Sequence, residues 1–102
     1  MFEETRGNLS LTWTQKAEGE WKEILTFYTV RNGSRTYSLK LDEELQKKLT
    51  TICSHPELGE KTKRKGIRRC VVARRFAVFY QFDSECVEII TIVDARRNVS
   101  LD

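Results

Sequence analysis

Between Gln15 and the one proline the apolar residues of this chain keep a helical spacing, and beyond that proline a strand-like one. That switch limits the possible folds more than any other feature. Ala17, Trp21, Ile24, Leu25 and Tyr28 recur at intervals of three and four, which puts them on one stripe of a helix running from Gln15 to about Arg31. Tyr37, Leu41, Leu45, Leu49 and Ile52 form a second stripe that ends before Pro56. Between them, Asn32-Gly33 supplies the residues best able to take positive φ past a helix end, and Ser34 can accept from orphan amides where the next helix begins. So short a connection predicts an antiparallel helical hairpin.

His55-Pro56-Glu57-Leu58-Gly59 breaks the pattern, and the chain then reads as a surface loop until Ile67. Ile67 to Ala73, Phe76 to Phe82 and Cys86 to Val93 are expected as three strands, rich in Val, Ile, Phe and Tyr. The turns near Arg74-Arg75 and Asp83-Ser84-Glu85 are short enough to force antiparallel hairpins. Ahead of the helices, Leu9, Leu11 and Trp13 alternate with Ser10, Thr12 and Thr14, the mark of one more, half-buried strand. The last strand carries Val87, Ile89 and Val93 on one side and Ile90 and Ile92 on the other, which places it in the sheet centre. The predicted fold is α+β: an N-terminal strand, a helical hairpin and a three-stranded antiparallel meander. The helices pack on one face of a four-stranded sheet, and the opposite face is partly open.

A chain of 102 residues buries roughly 65% of its unfolded surface, enough for one core, so residues 1–102 are expected to form a single domain. The tail from Asp94 to Asp102 is too short for another stable helix. The strongest apolar stretch, Val87 to Val93, contains Glu88 and falls far short of the ~20 residues needed to cross a bilayer. The start, Met1 to Arg6, is acidic and has no apolar core, so the cytoplasm is the expected compartment. Cys53, Cys70 and Cys86 match no paired metal-ligand spacing and are expected as reduced, mostly buried thiols, with no metal site.

Charge is uneven. Met1 to Glu60 holds eight basic and ten acidic residues, whereas Lys61 to Asp102 holds ten basic and five acidic. Lys61 to Arg75, KTKRKGIRRCVVARR, carries eight basic residues and no acid, a block that attracts polyanions or an acidic protein. There is no Gly-rich phosphate loop and no nucleophile elbow, so no cofactor is implied.

Taken in order, the helix ending in HPELG, the basic loop running into IRRCVVARR, then RFAVFYQF and finally EIITIVDARRN resemble the RelE/ParE superfamily of toxin–antitoxin toxins over nearly the whole chain. The parts that carry the likeness are the Pro-x-x-Gly helix exit, the aromatic strand ending in Tyr80, and the Ile/Val strand closing on Arg96 and Arg97. The resemblance implies a cytoplasmic toxin silenced by a tightly bound cognate antitoxin, with operator DNA reached only through that antitoxin.

The superfamily divides by target. RelE-like members cut messenger RNA on the ribosome, and ParE-like members poison DNA gyrase. RNA cleavage by 2′-hydroxyl attack needs proton-transfer groups and cations around the phosphorane. In the RelE pattern an arginine stands three residues before the strand tyrosine; here that position is Ala77, with Arg74 and Arg75 displaced into the turn. After Tyr80 the chain has no Tyr or His to serve the proton chemistry. The likeness is thus closer to ParE-like plasmid stabilisation proteins that inhibit growth by binding their target. One alternative is a ribosome-dependent mRNA endoribonuclease with Arg68, Tyr80 and Arg96 as catalytic candidates; another is a degenerate member acting only in antitoxin binding and autoregulation. Arg68, Arg69, Arg74, Arg75, Arg96 and Arg97 are the expected target-binding residues. Trp13, Trp21 and Tyr28 are the candidates to face an antitoxin that is acidic in its toxin-binding segment, the two tryptophans lying on apolar stripes that suit either the core or that interface. His55 is expected in a helix-terminus or loop role, and Asp94 in an ion pair at a strand end.

Overall fold

The computed structural model describes residues 8–95. Within them the order is β1 (Ser10–Trp13), α1 (Gln15–Asn32), α2 (Thr36–Ser54), a 3₁₀ turn (Pro56–Leu58), β2 (Glu60–Lys61), β3 (Arg68–Val72), β4 (Phe76–Phe82) and β5 (Cys86–Asp94). The helix boundaries follow local chemistry. Thr14 is the N-cap of α1, its side chain accepting from the Ala17 amide at 3.0 Å, and Gly33 closes the helix at φ 67°, in the left-handed region. Ser34 accepts from the Thr36 amide at 3.2 Å as α2 begins, and α2 stops at His55, the residue before Pro56.

Hydrogen bonds between the helices show that they run antiparallel, because the partner on α2 moves back from Asp42 to Ser38 as the α1 position advances from Trp21 to Leu25 and Thr29. Trp21 Nε1 donates to Asp42 at 2.9 Å, Ser38 Oγ donates to the Leu25 carbonyl at 2.8 Å, and the Thr29 and Ser38 hydroxyls lie 2.7 Å apart. The helical stripes then lie over the sheet. Ala17, Trp21, Leu41, Leu45, Leu49 and Ile52 join Val72, Phe76, Val78, Tyr80, Val87, Ile89 and Ile92 in one buried cluster.

The sheet has five strands, in the order β1-β5-β4-β3-β2, where four were expected. The extra one is the two-residue β2, which pairs antiparallel with β3 through Glu60↔Arg69 and Lys61↔Arg68. Its segment carries no apolar alternation, which is why it reads as loop. The meander β3-β4-β5 is antiparallel as expected, and β1 lies parallel to β5 with Ser10 opposite Cys86 and Trp13 opposite Ile89. The last strand is interior, but β4 and not β5 occupies the centre.

Two expectations about faces need correction. The pairing of β4 with β5 passes from Phe79↔Thr91 to Tyr80↔Ile89 and skips Ile90, and this bulge resets the alternation so that Ile92 joins Ile89 in the core. The face away from the helices is also less open than expected. Ala77 and Phe79, which alternate with the core-facing Val78 and Tyr80, are themselves only 2% and 4% exposed. Exposure on β4 begins at Gln81, whose side chain donates to Glu88 at 2.8 Å.

Because β1 ends at Trp13, the outer side of β5 would be left bare beyond Ile89, and side chains from the start of α1 fill the gap. Thr14 Oγ1 donates to the Ile90 carbonyl at 2.8 Å, and Glu20 Oε1 accepts from the Ile92 amide at 3.0 Å and from the Thr91 hydroxyl at 2.6 Å. Lys16 Nζ holds the other Glu20 oxygen at 2.7 Å. Partial burial alone would raise the pKa of Glu20, but these donors outweigh it and hold the carboxyl below its usual range.

Candidate functional site

The Pro-x-x-Gly exit and the strand tyrosine turn out to be one structural unit. Tyr80 is fully buried, its hydroxyl donating to the Pro56 carbonyl at 2.7 Å and accepting from the Gly59 amide at 2.8 Å. A side chain at position 59 would not fit, since a Cβ there would stand 2.6 Å from Tyr80 Oη and 3.0 Å from the Arg69 carbonyl. Arg68 closes the unit from outside, donating from Nη1 to the Glu57 carbonyl at 3.0 Å and the Gly59 carbonyl at 2.8 Å, with its guanidinium 5.9 Å from the centre of the Phe82 ring. Burial pushes the Tyr80 phenol above its usual pKa, only partly offset by the Gly59 amide. Tyr80 is thus a buried strand aromatic whose hydroxyl holds the 3₁₀ turn, and not a residue stacking on an exposed face.

The other strand arginines divide. Arg69 lies beside Glu60, 3.6 Å away. Arg75 donates to the Tyr28 hydroxyl, and its guanidinium lies 5.5 Å from the centre of that ring, so it ties the sheet to α1. Arg74 alone projects from the β3–β4 turn, where it and Ala73 both take positive φ, 57° and 56°, closed by the Arg75 amide on the Val72 carbonyl at 3.0 Å. This is the geometry of a two-residue hairpin turn that normally selects Asn-Gly, held here by two residues with Cβ atoms. Arg68, Arg69, Arg74 and Arg75 thus do not converge: Arg68 and Arg75 each brace a different end of β3–β4. Arg96 and Arg97 lie outside the described residues. Asp94 closes β5 opposite Phe76.

Of the aromatic residues expected to face an antitoxin, Trp21 belongs to the core. Its ring sits edge-on to Phe76 at 5.7 Å and its indole N–H is bound to Asp42, so that expectation is corrected. Trp13 and Tyr28 are half-buried. The apolar groups that the helices do expose are others: Phe27 at 54%, Val30 at 75% and Leu39 at 56%. All three lie off the two buried stripes, and that surplus was the sequence signal that could have found them. Phe27 borders a groove between α1 and the end of β5, together with Ile24, Tyr28, Phe76 and Ile92, with Glu20, Glu23 and Asp94 also in its wall. Leu39 borders a second depression with Thr26, Thr29 and Arg35.

The thiols offer little nucleophilic chemistry. All three cysteines are free and largely but not fully buried, and desolvation pushes Cys70 up to about 11. Among the described residues no group of three or more His, Cys, Asp and Glu side chains is placed to hold a metal ion, and no helix is long and apolar enough to cross a membrane. His55 caps the end of α2, its amide donating to the Thr51 carbonyl at 2.8 Å.

Among solved structures the chain is similar to a chain of the chromosomal ParDE toxin–antitoxin system from P. aeruginosa, with a TM-score of 0.74 and 21% identity over 86% of this chain and 97% of that one, a likeness of fold. A match to TrmO from Pseudomonas aeruginosa, at TM-score 0.48 and 9% identity over 84% of this chain and 35% of that one, carries no argument. No curated protein matches. The family described as "ParE toxin of type II toxin-antitoxin system, parDE" matches residues 11–99. With that family covering β1 through β5, on a fold shared with a ParDE system, the chain belongs to the ParE toxins of type II toxin–antitoxin systems.

Proposed function

We propose that this toxin acts on DNA gyrase by binding, without bond-breaking chemistry of its own, and that a cognate antitoxin silences it in the cytoplasm. The observation that carries the choice of binding over RNA cleavage is the state of Tyr80 and Arg68. The strand hydroxyl and the guanidinium nearest to it are both committed to holding the Pro56–Gly59 turn, so neither is presented to a substrate phosphate. Family resemblance supports gyrase as the target, with Arg74 and the tail arginines Arg96 and Arg97 as the contacts.

The antitoxin would cover Phe27, Val30 and Leu39. Burying one such side chain stabilises a complex by about 1.5–3 kcal/mol, so covering all three supplies a share of the affinity and a tight partner must add further contacts. The exposed edge of β1 offers a place for an added strand. Inducing the chain alone, with primer extension on messages and a DNA-damage reporter read in parallel, tests the assignment. Growth arrest with the reporter on and messages intact is the expected result; messages cut at defined sites would overturn binding in favour of ribonuclease action. Co-purification with the product of the neighbouring open reading frame tests the antitoxin. Phe27→Lys/Leu39→Lys should weaken that complex at least tenfold while leaving the thermal unfolding of the toxin little changed.

A further inference from the structure

The connection between β2 and β3 is a short loop built to hold a fixed shape. The Thr62 amide donates to the Ile67 carbonyl at 3.2 Å, and the Ile67 amide donates to the Arg64 carbonyl at 3.0 Å. The Thr62 hydroxyl accepts from the Arg64 amide at 3.1 Å and faces the Arg64 and Ile67 carbonyls at 3.1 and 3.0 Å. Gly66 turns the chain at φ 86°, a conformation that side chains disfavour. On this frame Lys61, Lys63, Arg64 and Lys65 are exposed, four cations in five positions.

Lys61, Arg64 and Lys65 make no ion pair within the described residues, and the flanking acid, Glu60, lies beside Arg69. The composition of the tip selects among partners. A protein interface needs an apolar or aromatic centre, and residues 61–66 contain neither. Single-stranded nucleic acid needs a stacking platform, and the Phe82 ring that precedes the next turn lies against the Arg68 guanidinium. A double helix asks only for closely spaced cations, because it carries a backbone charge about every 1.7 Å along its axis. We infer that the β2–β3 tip is a contact for duplex DNA, gripping the phosphate backbone through Lys61, Arg64 and Lys65 without reading sequence. The contact belongs to the toxin chain itself and does not depend on which macromolecule the toxin inhibits.

The test is a titration of the full chain into a labelled DNA duplex of about 20 base pairs and arbitrary sequence, read by fluorescence anisotropy at several salt concentrations. Three phosphate contacts predict a slope of log affinity against log salt of about −2.7, hence roughly 40-fold weaker binding at 200 mM than at 50 mM. Lys61→Gln/Arg64→Gln/Lys65→Gln should bind at least about tenfold more weakly at 50 mM, with a slope near zero. Arg35→Gln/Lys40→Gln, which removes two exposed cations at the start of α2, should bind as the parent does. Parent-like binding by the triple variant would overturn the inference. So would tighter binding of single-stranded RNA of equal length, or preferential capture of polyglutamate, which would make the tip a protein-docking element.

Discussion

Lys61 to Lys65 and Arg68 to Arg75 are the two halves of one cationic run, and the fold uses them in different ways. In the first half the backbone is tied down by Thr62 and Gly66 and the charges point outward. In the second half the side chains do the tying: Arg68 grips the carbonyls of the 3₁₀ turn and Arg75 grips Tyr28 on α1. Charge density along a sequence therefore does not measure charge available to a partner. A guanidinium has five donors in a rigid fork and serves well as a clamp on carbonyl oxygens, whereas a flexible ammonium stays hydrated. Arg74 apart, the arginine-rich half is braced and the lysine-rich half is presented.

That contrast can be broken or sharpened by substitution, starting where the bracing is densest. Tyr80→Phe strands the Gly59 amide and the Pro56 carbonyl and should cost about 2–3 kcal/mol, seen as a fall in Tm of roughly 10–20 °C. The same hydroxyl gives the parent an alkaline liability. Its folded pKa is raised, so its contribution is complete below the ordinary phenol value of 10.0 and is lost as pH rises through the higher folded value. Denaturant titrations from pH 8 upward should show this loss in the parent and not in Tyr80→Phe. Gly59→Ala drives a methyl group into Tyr80 Oη and should cost about 1–3 kcal/mol, also by thermal unfolding. Arg68→Met removes two partly solvated hydrogen bonds and should cost about 1 kcal/mol, whereas the triple glutamine variant of the tip should stay within about 0.5 kcal/mol of the parent. Equal losses in those last two would erase the distinction between the halves.

The helical hairpin and the meander are legible in the sequence because their signals are local. A stripe repeating every three or four residues, a glycine at the helix end and a run of β-branched residues each act over one or two turns of chain. The side-by-side placement of β1 and β5 joins residues 76 positions apart, as in Ser10 opposite Cys86, and no local pattern encodes such a pairing. β2 is missed for a different reason: its two residues are Glu and Lys, and its pairing with Arg69 and Arg68 leaves no apolar trace. At the site, spacing identifies Pro56, Gly59 and Tyr80 as related, but whether Tyr80 faces a substrate or the core depends on which way β4 turns over. Trp21 shows the converse, since its position on the Ala17–Tyr28 stripe already marks it as interior.

The Glu20 carboxylate, planted against the Ile92 amide where β1 has run out, has a consequence for the free toxin. A bare strand margin invites another copy of the same chain to zip alongside it, and this margin is already occupied by a charged group that no incoming backbone can match. Pairing with a further strand is discouraged along this stretch of β5, which leaves the short edge of β1 as the place on this side of the sheet where a strand can be added.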